Sequence, residues 1–131
     1  MYNLHNNKGN YPHLDYDDRG NLVLFIINKN DWEKYEYDDN NNFIYKITNS
    51  GFWVKNEYDE NNLLIYSITS DGYWVKYKYD SKRRCVYNEN SYSGGYVCEY
   101  DEMDKKIYDI SIKEYKKINN RDVIIDSIIN L

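Results

Sequence analysis

Two groups of residues recur in this chain at a spacing suited to chemistry, and the chemistry they suit is recognition rather than catalysis. Tryptophans stand at Trp32, Trp53 and Trp74, 21 residues apart, and each is followed two positions later by a lysine, Lys34, Lys55 or Lys76. Acidic residues recur at the same interval, as Asp17-Asp18, Asp38-Asp39, Asp59-Glu60, Asp80 and Asp101-Glu102. Indoles flanked by charge resemble the anchors of protein interfaces, and they can also stack on sugars. A row of carboxylates can steer a basic, nucleic-acid-handling partner. It can also offer hard oxygens to calcium, although no loop here has the spacing of a known calcium site. The plainer readings are a packing stripe for the tryptophans and turn chemistry for the acids.

The groups an enzyme needs are missing from the pattern. The two histidines, His5 and His13, fall outside the repeats, and no Ser-His-Asp or Cys-His arrangement or glycine-rich loop before a helix can be argued. Two cysteines, Cys85 and Cys98, are too few for a disulfide framework or a zinc site. The expectation is a non-enzymatic protein with no cofactor and no metal.

The elements that position these residues follow from one dipeptide. Tyr-Asp occurs at residues 16, 37, 58, 79 and 100, always 21 apart. Seven residues after each Tyr comes an apolar pair, such as Ile65-Tyr66 or Val86-Tyr87. Five copies in strict register define a repeat protein. Each copy reads as a β-hairpin, with Phe52–Tyr58 as one strand, a turn through Asp59-Glu60-Asn61-Asn62, a second strand Leu63–Thr69, and a return turn at Ser70-Asp71-Gly72. Gly20, Asn41 and Asn62 stand four residues after the Tyr, where a tight turn needs a left-handed backbone. Parity places Val54 and Tyr58 on one face, expected to be joined by Leu64, Tyr66 and Ile68. Trp53, Lys55 and Glu57 then face the other way with Ile65 and Thr69.

The fold expected is mostly β, an antiparallel meander of about ten strands in a twisted or curled sheet with a short C-terminal helix. Residues 1–131 form a single domain, with an N-terminal arm over 1–13, hairpin repeats over 14–115 and a capping helix over 116–131. Asn120 is the expected N-cap of that helix, and Ile124, Ile125, Ile128 and Ile129 its apolar stripe. The fourth copy is read as carrying a longer loop through Asn90–Gly95.

Composition narrows the setting. Seventeen residues are Tyr against three Phe and three Trp, and mean hydropathy is −0.94, which fits a thin, half-wet structure. No apolar run is long enough to cross a membrane, and the N-terminus lacks the pattern of a signal peptide. Asn, Ile, Lys and Tyr are abundant while Ala and Gln are absent, the mark of an AT-rich genome such as many bacteria and phages have. The net charge of −5 lies within residues 1–80, with 8 basic against 13 acidic groups, while residues 81–131 carry 9 of each. Direct nucleic-acid binding is disfavoured on that balance.

Tyr35-Glu36-Tyr37-Asp38 and Tyr77-Lys78-Tyr79-Asp80, each followed by turn residues and an apolar strand, resemble the YD repeat of bacterial RHS and teneurin-like proteins. The resemblance covers roughly residues 14–115, and the family's turn glycine survives only as Gly20. It implies hairpin geometry and a bacterial or phage setting. The family's enclosing of a toxin needs longer arrays than five copies. The functional expectation is a cytoplasmic protein-binding module, bacterial or phage-encoded, that inhibits by occluding a partner. A phage anti-defence (anti-CRISPR-like) protein or a toxin-immunity protein would act in this way. Trp32, Trp53, Trp74, Asp38, Asp39, Asp59 and Glu60 are the partner-binding candidates. The alternatives are a glycan- or cell-surface-binding module and a structural fragment related to RHS shells.

Overall fold

A computed structural model of the chain describes residues 10–119. It contains ten strands: β1 His13–Tyr16, β2 Leu22–Asn28, β3 Asp31–Tyr37, β4 Phe43–Thr48, β5 Trp53–Tyr58, β6 Leu64–Thr69, β7 Trp74–Tyr79, β8 Cys85–Asn90, β9 Gly94–Tyr100 and β10 Lys106–Ser111. They form one antiparallel sheet in sequence order, and β1 does not pair with β10, so the sheet is open. One helix, α1, follows at Ile112–Asn119.

The Tyr-Asp motif builds the hairpins through both of its side chains, the Asp in all five turns and the Tyr in the three middle repeats. The Asp accepts the backbone N–H groups two and four residues on. In the second turn Asn40 and Asn42 donate to Asp38 Oδ1, each at 2.9 Å, and the same pair of bonds recurs at Asp17, Asp59, Asp80 and Asp101. The turn closes on a left-handed residue at the third position after the Asp, namely Gly20, Asn41, Asn62, Arg83 and Asp104. The Tyr hydroxyl reaches back 15 residues to the first strand residue of the preceding hairpin's second strand. Tyr37 donates to Leu22 O at 3.0 Å, Tyr58 to Phe43 O at 2.7 Å and Tyr79 to Leu64 O at 2.6 Å. In the last repeat the Cys98 thiol donates to the equivalent carbonyl, that of Cys85, at 3.3 Å.

Register corrects the assignment of faces. Directly paired residues share a face, and Lys55 pairs with Ile68 and Glu57 with Tyr66, while Val54 pairs with Thr69. Leu64 meets Tyr58 as expected, but Tyr66 and Ile68 belong with Trp53. The cause is a bulge at Glu57/Tyr58, one extra residue that reverses parity along the rest of β6.

The connection expected to be long is short. Strand β8 runs to Asn90 and β9 resumes at Gly94, as an unbroken 21-residue interval requires. The helix starts at Ile112, earlier than the segment expected to be helical, and residues 120–131 with their isoleucine stripe lie outside the described residues. Ser111 Oγ accepts the Glu114 N–H at 3.2 Å, an N-cap whose Ser-x-x-Glu spacing is written in the sequence.

Burial is concentrated at the two ends of the array. Leu24 and Ile26 are buried at one end, and Val97, Ile112 and Tyr115 form a core at the other, packed by Tyr87, Tyr108 and Ile110. Between them only Val75 is buried among the described residues, and strands β4 and β6 are half-buried along their whole length. The middle of the molecule is a single layer.

Candidate binding face

Cross-strand pairs trace one continuous face. Ile26 pairs with Trp32, Ile47 with Trp53 and Ile68 with Trp74. The tryptophans occupy equivalent positions on β3, β5 and β7; Lys34 pairs with Ile47 and Ile47 with Trp53, so each lies two strands across and two residues along from the one before, about 12 Å away. They alternate with isoleucines rather than touching one another, so they form a mixed aromatic and aliphatic lane. All three are half-buried.

Each indole carries its lysine. Lys34 Nζ lies 5.3 Å from the Trp32 ring centre, Lys55 5.0 Å from Trp53 and Lys76 5.2 Å from Trp74. An ammonium over an indole face is worth about 0.5–1 kcal/mol at an exposed site. The neighbouring tyrosines complete a row of shallow grooves. Glu36, Ile44, Tyr45 and Lys55 line one, and Glu57, Ile65, Tyr66 and Lys76, each 21 residues further on, line the next. The repeat therefore delivers the same recess twice.

The acidic candidates lie elsewhere. Trp53 begins β5 and Asp59 follows its end, about 20 Å away at the rise of a strand. Asp38 spends both carboxylate oxygens on its own turn and Asp59 spends one. Burial works against the Asp38 carboxylate, but the bonds from Asn42 and Asn40 outweigh it and hold the group below the ordinary Asp range. Asp17 is held low as well, chiefly by the Asn21 backbone N–H. Asp39 and Glu60 are exposed and form no ion pair among the described residues. The structure thus assembles Trp32, Trp53 and Trp74 into one lane, sets Asp38, Asp39, Asp59 and Glu60 along one edge, and keeps the two groups apart.

Two features of this face escaped the sequence reading. One is the alternation with Ile26, Ile47 and Ile68, hidden by the bulge that reverses parity. The other is the far end of the lane, where Gly95 stands in the tryptophan slot and Val97 in the lysine slot. A Cβ at Gly95 would lie 1.9 Å from the Asn88 carbonyl oxygen. Val97 sits under α1, where Ile112 and Tyr115 pack on it.

The opposite face holds the cysteines. Cys85 and Cys98 lie on adjacent strands and are free, and burial pushes the Cys85 thiol above its ordinary value. Among the described residues no group of three His, Cys, Asp or Glu is placed to hold a metal, and no helix is long and apolar enough to cross a membrane. Compared with known proteins, the chain matches no family model and no curated protein.

Proposed function

We propose that this protein is a non-enzymatic protein-binding module that covers a partner's working surface with its tryptophan–lysine lane and so inhibits it. The observation that carries the reading is the lane itself. Three indoles, three isoleucines and three lysines are repeated at one interval, with α1 packed on this face at its far end and Ile26 buried at its near end. Inhibition by occlusion needs no catalytic group, only area and fit. A phage anti-defence or toxin-immunity role, with a YD-like repeat as scaffold, is the setting that a compact, acidic binder of this kind serves. The exposed Asp39 and Glu60 contribute long-range steering from the edge, and the lane contributes the contact energy.

The test is Trp53→Ala with folding followed by thermal melting. In a folded variant, loss of about 2 kcal/mol in binding to a partner captured from host lysate supports the reading. Unchanged partner binding with lost oligosaccharide binding transfers the function to glycan recognition. The structure gives that alternative less support, because Lys34, Lys55 and Lys76 already occupy one face of each ring.

A further inference from the structure

The array breaks off in mid-pattern at both edges. Strand β1 is the first strand of a hairpin and β10 the second strand of another, and inside the chain a strand of the first kind always follows one of the second. The register at those joins is constant. Leu24 pairs with Lys34, Tyr45 with Lys55, Tyr66 with Lys76 and Tyr87 with Val97, each pair 21 residues beyond the last. On β10 the next residue in this series is Tyr108, and on β1 the slot of Lys34 is held by His13.

Three side chains exposed at these edges occupy slots that are covered inside the array. Tyr16 is 60% exposed, whereas Tyr37, Tyr58 and Tyr79 are half-buried and donate to a carbonyl of the preceding hairpin, 15 residues back. The carbonyl in that slot at the far edge is Lys106 O. Ile107 is 59% exposed, whereas its counterpart Ile65 is half-buried in grooves shared with Tyr77 and Lys78 of the next hairpin. The slot of Tyr77 on β1 holds Leu14, which is 43% exposed. The turns repeat the arrangement. Arg84 Nη1 donates to the Asp101 carbonyl of the next turn at 2.8 Å, and the same slots at the two edges hold Lys105 and Asp17. Helix α1 turns back over β9 to Glu89 of β8, away from the outer side of β10.

We propose that copies of this chain associate head to tail, with β10 of one copy against β1 of the next in the register of the internal joins. Tyr108 then faces His13 of the second copy, and Ile107 meets its Leu14. The Tyr16 hydroxyl of the second copy donates to Lys106 O, and Lys105 approaches the Asp17-Asp18 turn of that copy. The unpaired edges supply the N–H and C=O groups for such a ladder, and stacked repeats bind their neighbours through just such joins. Pro12 of the second copy falls opposite Asp109 and brings a carbonyl but no N–H, so the join is shorter and weaker than an internal one. The two copies contribute different surfaces, so every dimer keeps a free edge at each end and chains of copies grow. Both sheet faces stay open, and the association is independent of what binds the tryptophan lane.

Sedimentation velocity of the full chain from about 1 μM to about 1 mM, the span in which a small interface acts, should show a mean mass that rises past the dimer. Ile107→Lys spoils the tail edge and Leu14→Lys the head edge, and each variant alone should remain a monomer over this range. Mixed, the two variants share one intact pair of edges and should form a dimer that grows no further. Both sites are exposed, so thermal melting should show both variants folded as the native chain is. Tyr16→Phe removes only the hydroxyl and should weaken association about fivefold, which keeps the test in hand should a lysine variant melt early. A native chain that is a monomer at every concentration, or that stops at a dimer, overturns the proposal. So does a mixture of the folded lysine variants that stays monomeric, or an association that Tyr16→Phe leaves unchanged.

Discussion

A missing rung in the turn edge gives a quantitative test of how the repeats hold together. At three of the turns the residue four after the Asp reaches two ways, to its own Asp and to the left-handed residue of the next turn. Asn21 Nδ2 donates to Asp17 Oδ2 at 3.1 Å and to Asn41 Oδ1 at 2.9 Å, and Asn42 Nδ2 donates to Asp38 Oδ2 at 3.0 Å and to Asn62 Oδ1 at 2.8 Å. Arg84 does the same with Asp80 and Asp104, at 2.7 and 2.8 Å. The missing rung, third in chain order, would join residues 63 and 83, and there the chain has Leu63 and Arg83. Arg83 also holds φ at 65°, where Asn is far better tolerated. Arg83→Asn alone should therefore stabilise by about 0.5–1 kcal/mol through the backbone. Leu63→Asn alone exchanges half-buried apolar surface for one bond to Asp59, and should be neutral or cost about 1 kcal/mol. Together they complete the rung, and the coupling should be favourable by about 0.5–1.5 kcal/mol, the worth of one side-chain hydrogen bond. Urea unfolding of the four proteins, read by tryptophan fluorescence, measures that coupling, which corresponds to a rise of about 4 °C in Tm per kcal/mol. A coupling of zero would mean that the lateral bonds do not tie the repeats together.

Gly95→Ala should destabilise by about 3 kcal/mol or more in thermal melting, because the new Cβ runs into backbone. Gly72→Ala, at a comparable φ of 90° with open space around it, should cost about 1 kcal/mol, and equal costs would refute the close approach at Gly95. Acid should weaken the fold through its turns. Asp17, Asp38 and Asp80 all have folded pKa values below the ordinary 3.8, so their contribution is full above that value and is lost as pH falls through the lowered ones. Tm should therefore fall as pH is taken below about 4, and the fall should be smaller in Asp17→Asn/Asp38→Asn/Asp80→Asn.

The repeat made most of the fold legible. Hairpin number, strand order and the left-handed turn positions all follow from the 21-residue Tyr-Asp interval and from Gly20, Asn41 and Asn62. What stayed hidden was set by geometry that leaves no mark in residue types. The bulge at Glu57/Tyr58 moves Tyr66 and Ile68 to the tryptophan face, and strict alternation cannot anticipate it. The helix start was legible but outweighed, since Ser111-x-x-Glu114 is a capping box while the isoleucine run further on drew the element downstream. For the site, the row Trp32, Trp53 and Trp74 was readable from spacing. The isoleucines between them and the separation of the lane from the acidic edge needed the register.

That separation has a functional consequence. A sheet with a single buried side chain in its middle cannot rely on a core there, and its two edges carry the load instead. At the acidic edge the Asp–backbone bonds and the Asn rungs join successive turns. At the other edge the Trp32, Trp53 and Trp74 N–H groups donate to Asn49 Oδ1, Ser70 Oγ and Ser91 Oγ at 3.2, 3.2 and 3.0 Å. Their carbonyls accept in return from the N–H groups of Asn49, Ser70 and Ser91 at 3.1, 2.9 and 3.0 Å. The tryptophans thus hold the fold through their backbone, which any residue but proline could supply in full. Their side chains, and the lysines laid over them, are left to the surface. A substitution at a turn Asp should therefore act first on stability, and one at Lys34, Lys55 or Lys76 first on binding. Divided labour of this kind lets the lane be retuned from repeat to repeat without rebuilding the array, as the valine that stands in the lysine slot at Val97, under α1, already shows.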